Sequence, residues 1–156
     1  METTTDDAAP SRLKGAPSWL ITHIAPHAHR LVQAAFTAAD ARGYHYALLA
    51  ALKEFGPASQ ATLGRRCGID RSDVVAMINE LAERKLVERA LDPADRRRNI
   101  ITITPAGAKH LQRLDGVLAE IQDDLLAPLS ADERKELARL LAKVLDHHAR
   151  GAVYRW

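Results

Sequence analysis

The clearest alternation of apolar and polar positions lies between Asp70 and Lys85. Val74, Met77, Ile78 and Leu81 follow at steps of three, one and three, which puts them on one helix face directed at a core. Asp70 suits the N-cap, where a carboxylate accepts from a backbone N–H two or three residues on. Asp73 completes a D-x-x-D form of the capping box. The preceding run SQATLGRRCG, from Ser59 to Gly68, reads as a short helix with Leu63 as its apolar residue and Gly68 as its stop. Two helices joined by so tight a turn predict a helix-turn-helix, whose second helix can enter a DNA major groove.

Beyond that helix the pattern changes from helical to alternating. Leu86 to Leu91 and Ile100 to Thr104 are short β-prone runs, with Ile101 and Ile103 set against Thr102 and Thr104. Between them Asp92-Pro93-Ala94-Asp95-Arg96-Arg97-Arg98 forms a turn-prone, basic tip. A hairpin after a helix-turn-helix is a wing, and a basic wing beside a groove-reading helix is the charge layout that DNA phosphates favour.

Helical spacing also marks the flanks. Trp19, Leu20, Ile21, Ile24, Leu31, Val32, Ala35 and Phe36 predict a first long helix that starts after Pro26 or bends there, and that ends at Gly43. Tyr46, Leu49, Leu52 and Phe55 mark the next helix, stopped by Gly56-Pro57. Thr104 and Pro105 suit the cap and first turn of another. In it Leu111, Leu114, Leu118, Ile121 and Leu125 form a coiled-coil-like seam. Pro128 interrupts, and Ser130 with Glu133 forms a capping box for a last helix carrying Leu137, Leu140, Leu141, Val144 and Leu145. A wide leucine seam must be buried either on its own domain or on a second copy of the chain.

The run DRSDVVAMINELAERKLVERALDPADRRRNIITITPAG resembles the signature of the multiple-antibiotic-resistance regulator (MarR) family of winged-helix repressors. The resemblance rests on the L-V-x-R strand at Leu86, Val87 and Arg89, the D-P-x-D-x-R wing from Asp92 to Arg97, and the T-P-x-G helix start from Thr104 to Gly107. Helix lengths extend it from about Trp19 to His148. Lys85 departs from the family's usual glycine, which predicts strain at that helix end, and Val75 and Ala76 replace common hydroxyl or basic residues on the recognition helix. The resemblance implies a mainly α fold, an α+β winged helix-turn-helix whose helical dimerisation region flanks a DNA-binding lobe. A flexible tail over residues 1–15 precedes a single domain over 16–156, with the winged helix at about 44–104 and dimerisation helices at about 17–42 and 105–150. The resemblance further implies a homodimer with interleaved first and last helices.

Composition narrows the function. The 156 residues are 47% hydrophobic and 27% charged, an ordinary globular balance able to bury a core. Net charge is only +2, so affinity for nucleic acid must come from local clustering. No apolar run reaches membrane-spanning length, Met1 to Ala9 is not signal-like, and a single cysteine fits a reducing interior. Together these predict a cytoplasmic protein that does not enter the membrane.

Candidate DNA-reading residues lie off the buried stripe. Arg71 can read guanine, Asn79 adenine, and Asp73 either accepts from cytosine or serves the helix cap. Ser72 shares that exposed face, and Val75 and Ala76 can touch only thymine methyl groups. Arg97 at the wing tip suits the narrow minor groove, with Asp95 placed to hold its guanidinium in a bidentate pose. Arg96 and Arg98 suit phosphates, as do Arg65, Arg66, Arg84 and Arg89, although Arg89 in a strand can instead form a structural salt bridge.

Other chemistry finds less support. Cys67 adjoins Arg66, which favours thiolate, but a small free cysteine more often packs helices together. Seven histidines include His23 and His27 four apart, yet Pro26 disturbs that spacing and no complete zinc-ligand motif is present, so neither metal nor cofactor is expected. No phosphate loop, nucleophile elbow or paired-carboxylate arrangement points to an enzyme. The alternative to a regulator binding a pseudo-palindromic operator is a winged-helix protein-interaction module, against which the arginine-rich wing argues. The resemblance also implies release from DNA by small aromatic or lipophilic acids. Trp19, His23, His27, Arg30 and His45 are the candidate ligand residues, an apolar ring with cationic partners for a carboxylate, unless the histidines are merely solvated and Trp19 closes a dimer core.

Overall fold

A computed structural model describes residues 8–149. The element order is α1 Ser11–Lys14, α2 Pro17–Ala38, α3 Gly43–Phe55, β1 Ala58–Ser59, α4 Gln60–Cys67, α5 Arg71–Glu83, β2 Val87–Leu91, β3 Asn99–Ile103, α6 Pro105–Leu125 and α7 Ala131–His148. It is a mainly helical chain with one small antiparallel sheet in the order β1-β3-β2. Helix α5 is the second helix of a helix-turn-helix, and β2–β3 is its wing.

Local chemistry accounts for the turn between α4 and α5. The Ser59 hydroxyl accepts from the Thr62 N–H at 3.2 Å and caps α4. Gly68 closes that helix at φ 60°, in the left-handed region, and the Ile69 N–H returns to the Gly64 carbonyl at 2.9 Å. Gly64 is needed for contact as well, since a Cβ there would come within 3.1 Å of both the Ile69 oxygen and Val74 Cγ2. Asp70 then accepts from the Ser72 N–H at 3.3 Å. Asp73 forms no reciprocal half of a capping box, its side chain being one methylene shorter than the usual glutamate. Val74, Met77, Ile78 and Leu81 are buried as their spacing predicts. Each contributes roughly 1.5–3 kcal/mol from apolar burial.

The end of α5 is less ordinary. Lys85 has φ 58°, where glycine is favoured, and the Leu86 N–H bonds the Leu81 carbonyl at 2.9 Å while the Lys85 N–H bonds that of Ala82 at 3.0 Å. This is a Schellman turn with lysine in the glycine position, the strain that the departure at Lys85 predicts. Leu81 and Leu86 both bury their side chains there. The hairpin follows at once, pairing Val87 with Ile103, Arg89 with Ile101 and Leu91 with Asn99. At its far end the Thr104 Oγ1 donates to the Lys85 carbonyl at 2.8 Å and accepts from the Gly107 N–H at 2.9 Å. A Cβ on Gly107 would overlap the Leu86 carbonyl oxygen and lie 2.9 Å from Ile103 Cγ1. The T-P-x-G sequence is therefore a packing requirement.

Several sequence expectations change. Helix α2 begins at Pro17 and runs unbroken through Pro26. The carbonyl that Pro26 cannot serve belongs to Thr22, and both residues are exposed, so the lost bond leaves no buried polar group behind. Gly43 opens α3 instead of ending α2, which stops at Ala38. The buried stripe of α3 is Leu48, Leu49, Ala51 and Leu52, while Phe55 is 57% exposed. Part of the expected tail, Ser11–Lys14, is a helical turn, and residues 1–7 lie outside the described residues. The two-residue strand β1, too short to show alternation, pairs Ala58 with Ile101 and so covers one edge of β3. In the α6 seam Leu111, Leu114 and Ile121 are buried, with Leu118 and Leu125 half-buried.

Lys85→Gly should raise stability by up to about 1 kcal/mol by removing a side chain from left-handed backbone. Gly107→Ala should lower it by about 1–3 kcal/mol or more through overpacking against Leu86. Urea midpoints measured at constant slope check both.

Candidate nucleic-acid interface

The α4–α5 turn and the wing enclose an open cleft of about 770 Å³. Arg65, Arg71 and Val75 meet Arg97 and Arg98 there, so residues from the helix-turn-helix and the hairpin share one surface. Val75 is 41% exposed, an apolar side chain presented outward from α5. Ser72, Ala76 and Asn79 are exposed on the same helix, and Asp73 is half-buried. The Ser72 hydroxyl lies 3.4 Å from both carboxylate oxygens of Asp70, so its proton is directed into the cap.

The wing is ordered by its own acids. The Ala94 N–H donates to Asp92 Oδ1 at 2.9 Å, and the Asp92 N–H donates to the Arg98 carbonyl at 2.9 Å. Asp95 accepts from Arg97 Nε at 3.0 Å and from Nη2 at 3.3 Å, the bidentate pose the sequence predicts, and also from the Arg97 N–H at 3.1 Å. The hydrogen bonds from Arg97 hold the Asp95 carboxyl below its usual range. Arg97 remains 90% exposed while so oriented. Arg98 Nε lies 3.6 Å from Asp92, whereas Arg96 makes no hydrogen bond or ion pair within the described residues.

Other predicted contacts are diverted. Arg66 places its guanidinium 4.6 Å from the Phe55 ring centroid, a cation–π contact that covers an exposed aromatic. Arg89 donates to Asn79 Oδ1 at 2.5 Å, tying β2 to α5 and occupying the Asn79 carbonyl oxygen. Arg84 turns to the α2–α3 connection, donating to the Asp40 carbonyl at 2.7 Å. The cleft also includes Gln60, Thr62 and Asn99, which the sequence alone does not mark. Their signal is position only, at the first turn of α4 and beside Arg98. Thr62 accepts from Arg65 Nη2 at 3.2 Å and so steers that arginine. Cys67 is half-buried and donates to the Ala47 carbonyl at 3.4 Å, and burial pushes its thiol pKa up despite Arg66, which agrees with a packing role.

The five candidate ligand residues fall into separate groups. On α2 the Trp19 and His23 rings stack at 3.9 Å, and Arg30 Nη2 lies 2.8 Å from His27 Nδ1, all on a largely exposed surface. His45 is buried on α3. It borders a smaller cleft of about 450 Å³ with Arg42, Glu80 and Arg84, which includes none of the other four. Its Nδ1 accepts from the Arg42 N–H at 3.3 Å, so Nε2 carries the proton donated to Glu80 at 2.8 Å. Burial outweighs Glu80 and lowers the His45 pKa, keeping the ring neutral. Among the described residues no group of histidines, cysteines and acids is arranged to hold a metal.

Residues 37–98 match the model of the MarR family. The chain is 32% identical to a probable transcriptional regulator from Pseudomonas aeruginosa, with 85% of this chain and 99% of that one covered at a TM-score of 0.69. The chain belongs to the MarR family. Among its relatives, the HTH-type transcriptional repressor NicR of Pseudomonas putida is 33% identical over 65% of this chain and 64% of its own length, so under two thirds of that protein is matched. The BpsR structure from Bordetella bronchiseptica, whose DNA binding is regulated by 6-hydroxynicotinic acid, is 25% identical with a TM-score of 0.73, covering 88% of this chain and 99% of that one. In this MarR-family chain the family model thus matches from the end of α2 through the helix-turn-helix and β2 to the wing tip, stopping short of β3.

Because His45 titrates from 6.5 in the unfolded chain to a lower value when folded, the unfolded state binds the extra proton first. Stability should therefore be full above pH 6.5 and fall as acid drives the pH toward the folded-state value. His110, also lowered by burial, adds to this slope. A urea midpoint that is flat from about pH 7.5 to about pH 5 in wild type, or equally sloped in His45→Gln, refutes this assignment.

Proposed function

We propose that this protein is a sequence-specific transcriptional repressor that binds a pseudo-palindromic operator as a homodimer. The observation that carries the reading is the meeting of Arg65, Arg71 and Val75 with Arg97 and Arg98 on one open face. In this reading α5 enters the major groove, with Arg71, Ser72, Asp73, Val75, Ala76 and Asn79 toward bases. Arg97, aimed by Asp95, enters the adjoining minor groove, and Arg65, Arg96 and Arg98 neutralise phosphates. The chain acts in the cytoplasm and performs no catalysis. No described helix is long and apolar enough to cross a membrane.

The dimer reading rests on apolar faces without cover in the single chain. Leu20, Ile21 and Ile24 on α2 and Leu140, Leu141, Val144 and Leu145 on α7 are between 44% and 52% exposed, and no described residue of α7 is buried. Two such stripes on one chain suit mutual burial by a second copy, which would bring two recognition helices to adjacent major grooves. Residues about 17–42 and 105–150 are then the dimerisation region, and about 44–104 the DNA lobe. A small aromatic acid binding beside Trp19, His23, His27 and Arg30 would regulate the repressor, in the way that 6-hydroxynicotinic acid regulates DNA binding by BpsR.

Genomic fragment selection should recover one preferred operator, and size measurement should give a dimer. Affinity should fall with salt at a logarithmic slope on the order of −5, from three phosphate-directed arginines per subunit. A monomer with salt-indifferent binding, or capture of proteins without DNA, refutes the reading. Arg97→Ala should weaken operator binding by about 1–3 kcal/mol, with Arg98→Ala costing less. Equal and negligible losses mean the wing is solvated charge only. Phenolic acids that bind should both raise the melting temperature and release the operator. Stabilisation without release at saturation refutes the switch.

A further inference from the structure

Two separate apolar clusters hold the described residues together. One is centred on the winged helix around Leu52, Leu63, Ile78, Leu81 and Ile101 and takes in Leu111 of α6, and the other joins α2 to α6 through Phe36, Ala39, Ala41 and Leu114. Apolar contacts resist separation, but they are non-directional and do not by themselves define the angle between two bodies. Hydrogen bonds do, because they weaken steeply as they misalign.

The directional bonds that link these two bodies are the Tyr46 hydroxyl on Asp115 of α6 at 2.8 Å, the Thr104 hydroxyl on the Lys85 carbonyl, and a group at the α2–α3 connection. In that group Arg84 crosses from the recognition helix and Arg113 ties the end of α2 to α6. Helix α2 ends in a Schellman turn with Asp40 at φ 53° and the Ala41 N–H on the Phe36 carbonyl at 2.8 Å. The carbonyls of Ala39 and Asp40 then sit at the negative end of the helix, where cations are favoured. Arg113 of α6 donates Nη2 to the Ala39 carbonyl at 2.6 Å, with His110 Nδ1 at 3.5 Å beside it. Arg84, the C-cap of α5, donates Nη1 to the Asp40 carbonyl at 2.7 Å, with its Nη2 3.8 Å from the Asp40 carboxylate. One turn earlier on α5, Glu80 accepts from His45 and lies 3.5 Å from Arg42. Adjacent peptide carbonyls are thus gripped from the end of the recognition helix and from the long helix that packs on α2.

We propose that Arg84 and Arg113 are positioning residues: their grip on the Asp40 and Ala39 carbonyls sets the angle of the winged lobe on the α2–α6 pair, and hence the half-site spacing accepted on DNA. Neither lines the DNA-facing cleft. The inference rests on the dimeric DNA-binding reading above. In such a dimer a small change of lobe angle is magnified at the recognition helices, so a loosened joint costs most on the one spacing the native angle fits.

The test uses the full-length protein and the operator recovered by genomic selection, with versions carrying one base pair added or removed between half-sites. Wild type should prefer the native spacing. Arg113→Met, similar in length but without donors, should weaken binding to the native operator about tenfold while changing the altered operators less than about twofold, so that discrimination falls. Arg84→Met should do the same, and Arg113→Lys, which keeps a donor, should recover most of the discrimination. Melting temperatures confirm that each variant is folded at the assay temperature. An equal loss on all three operators, which general destabilisation would give, overturns the proposal, as does unchanged discrimination. Absence of any DNA binding by wild type instead overturns the reading on which it rests, and the proposal with it.

Discussion

The DNA-facing half of the molecule depends on two consecutive peptide groups, those of Lys85 and Leu86. The Lys85 carbonyl accepts from the Thr104 hydroxyl, and the Leu86 carbonyl accepts from the Thr104 N–H at 3.1 Å and has the Gly107 Cα pressed against it. Here the recognition helix ends, the hairpin begins and returns, and α6 starts. The register of the wing is counted from this point, since Val87 opposite Ile103 is the first pair outside it. A side chain at Gly107 would push the hairpin base away from α6, and every arginine on the wing would move with it. The left-handed Lys85 is tolerated because Leu81 and Leu86, packed on either side of the turn, stabilise it by more than the local strain costs.

The electrostatics follow from which arginines have partners. A net charge of +2 gives the chain little overall attraction for DNA. Within the motif, Arg66 rests on Phe55, Arg89 holds Asn79 and Arg84 holds the α2–α3 turn. What remains toward the cleft is a smaller, more ordered set. Arg97 is the most ordered of these, because Asp95 fixes the guanidinium plane before any ligand arrives and so reduces the entropy lost on binding. The acid lowers the local charge, but it decides where the remaining charge points.

The joint between the two apolar clusters has a different physical character. It is made largely of ion pairs, helix-end carbonyls and a buried neutral histidine, with Tyr46 packed against both clusters and Leu111 of α6 buried in the winged-helix one. Tyr46 also donates its hydroxyl to Asp115 at 2.8 Å, and burial pushes its pKa up to about 12. Polar joints of this kind have discrete arrangements and can be biased by a ligand or a proton, whereas the close-packed clusters on either side cannot slide without opening voids.

Much of this is legible in the residue order. The spacing of Val74, Met77, Ile78 and Leu81, the stop at Gly68, the alternation around Ile101 and the Ser130–Glu133 box each report a local rule, and the elements form where those rules place them. The Asp95–Arg97 fork is equally local, two residues apart on one turn. What the order of residues cannot decide is the choice among partners distant in sequence. By type and position Arg84 suits a phosphate, but its partner stands 44 positions away at Asp40. His45 likewise suits a ligand pocket, but its ring N–H is committed to Glu80, 35 positions away. Strand β1 and the continuity of α2 through Pro26 also depend on their surroundings, a neighbouring strand edge in one case and open solvent in the other. Local propensity selects the elements because it acts over one or two turns. The fate of a long polar side chain is decided by whichever donor or acceptor the tertiary fold brings within about 3 Å of it.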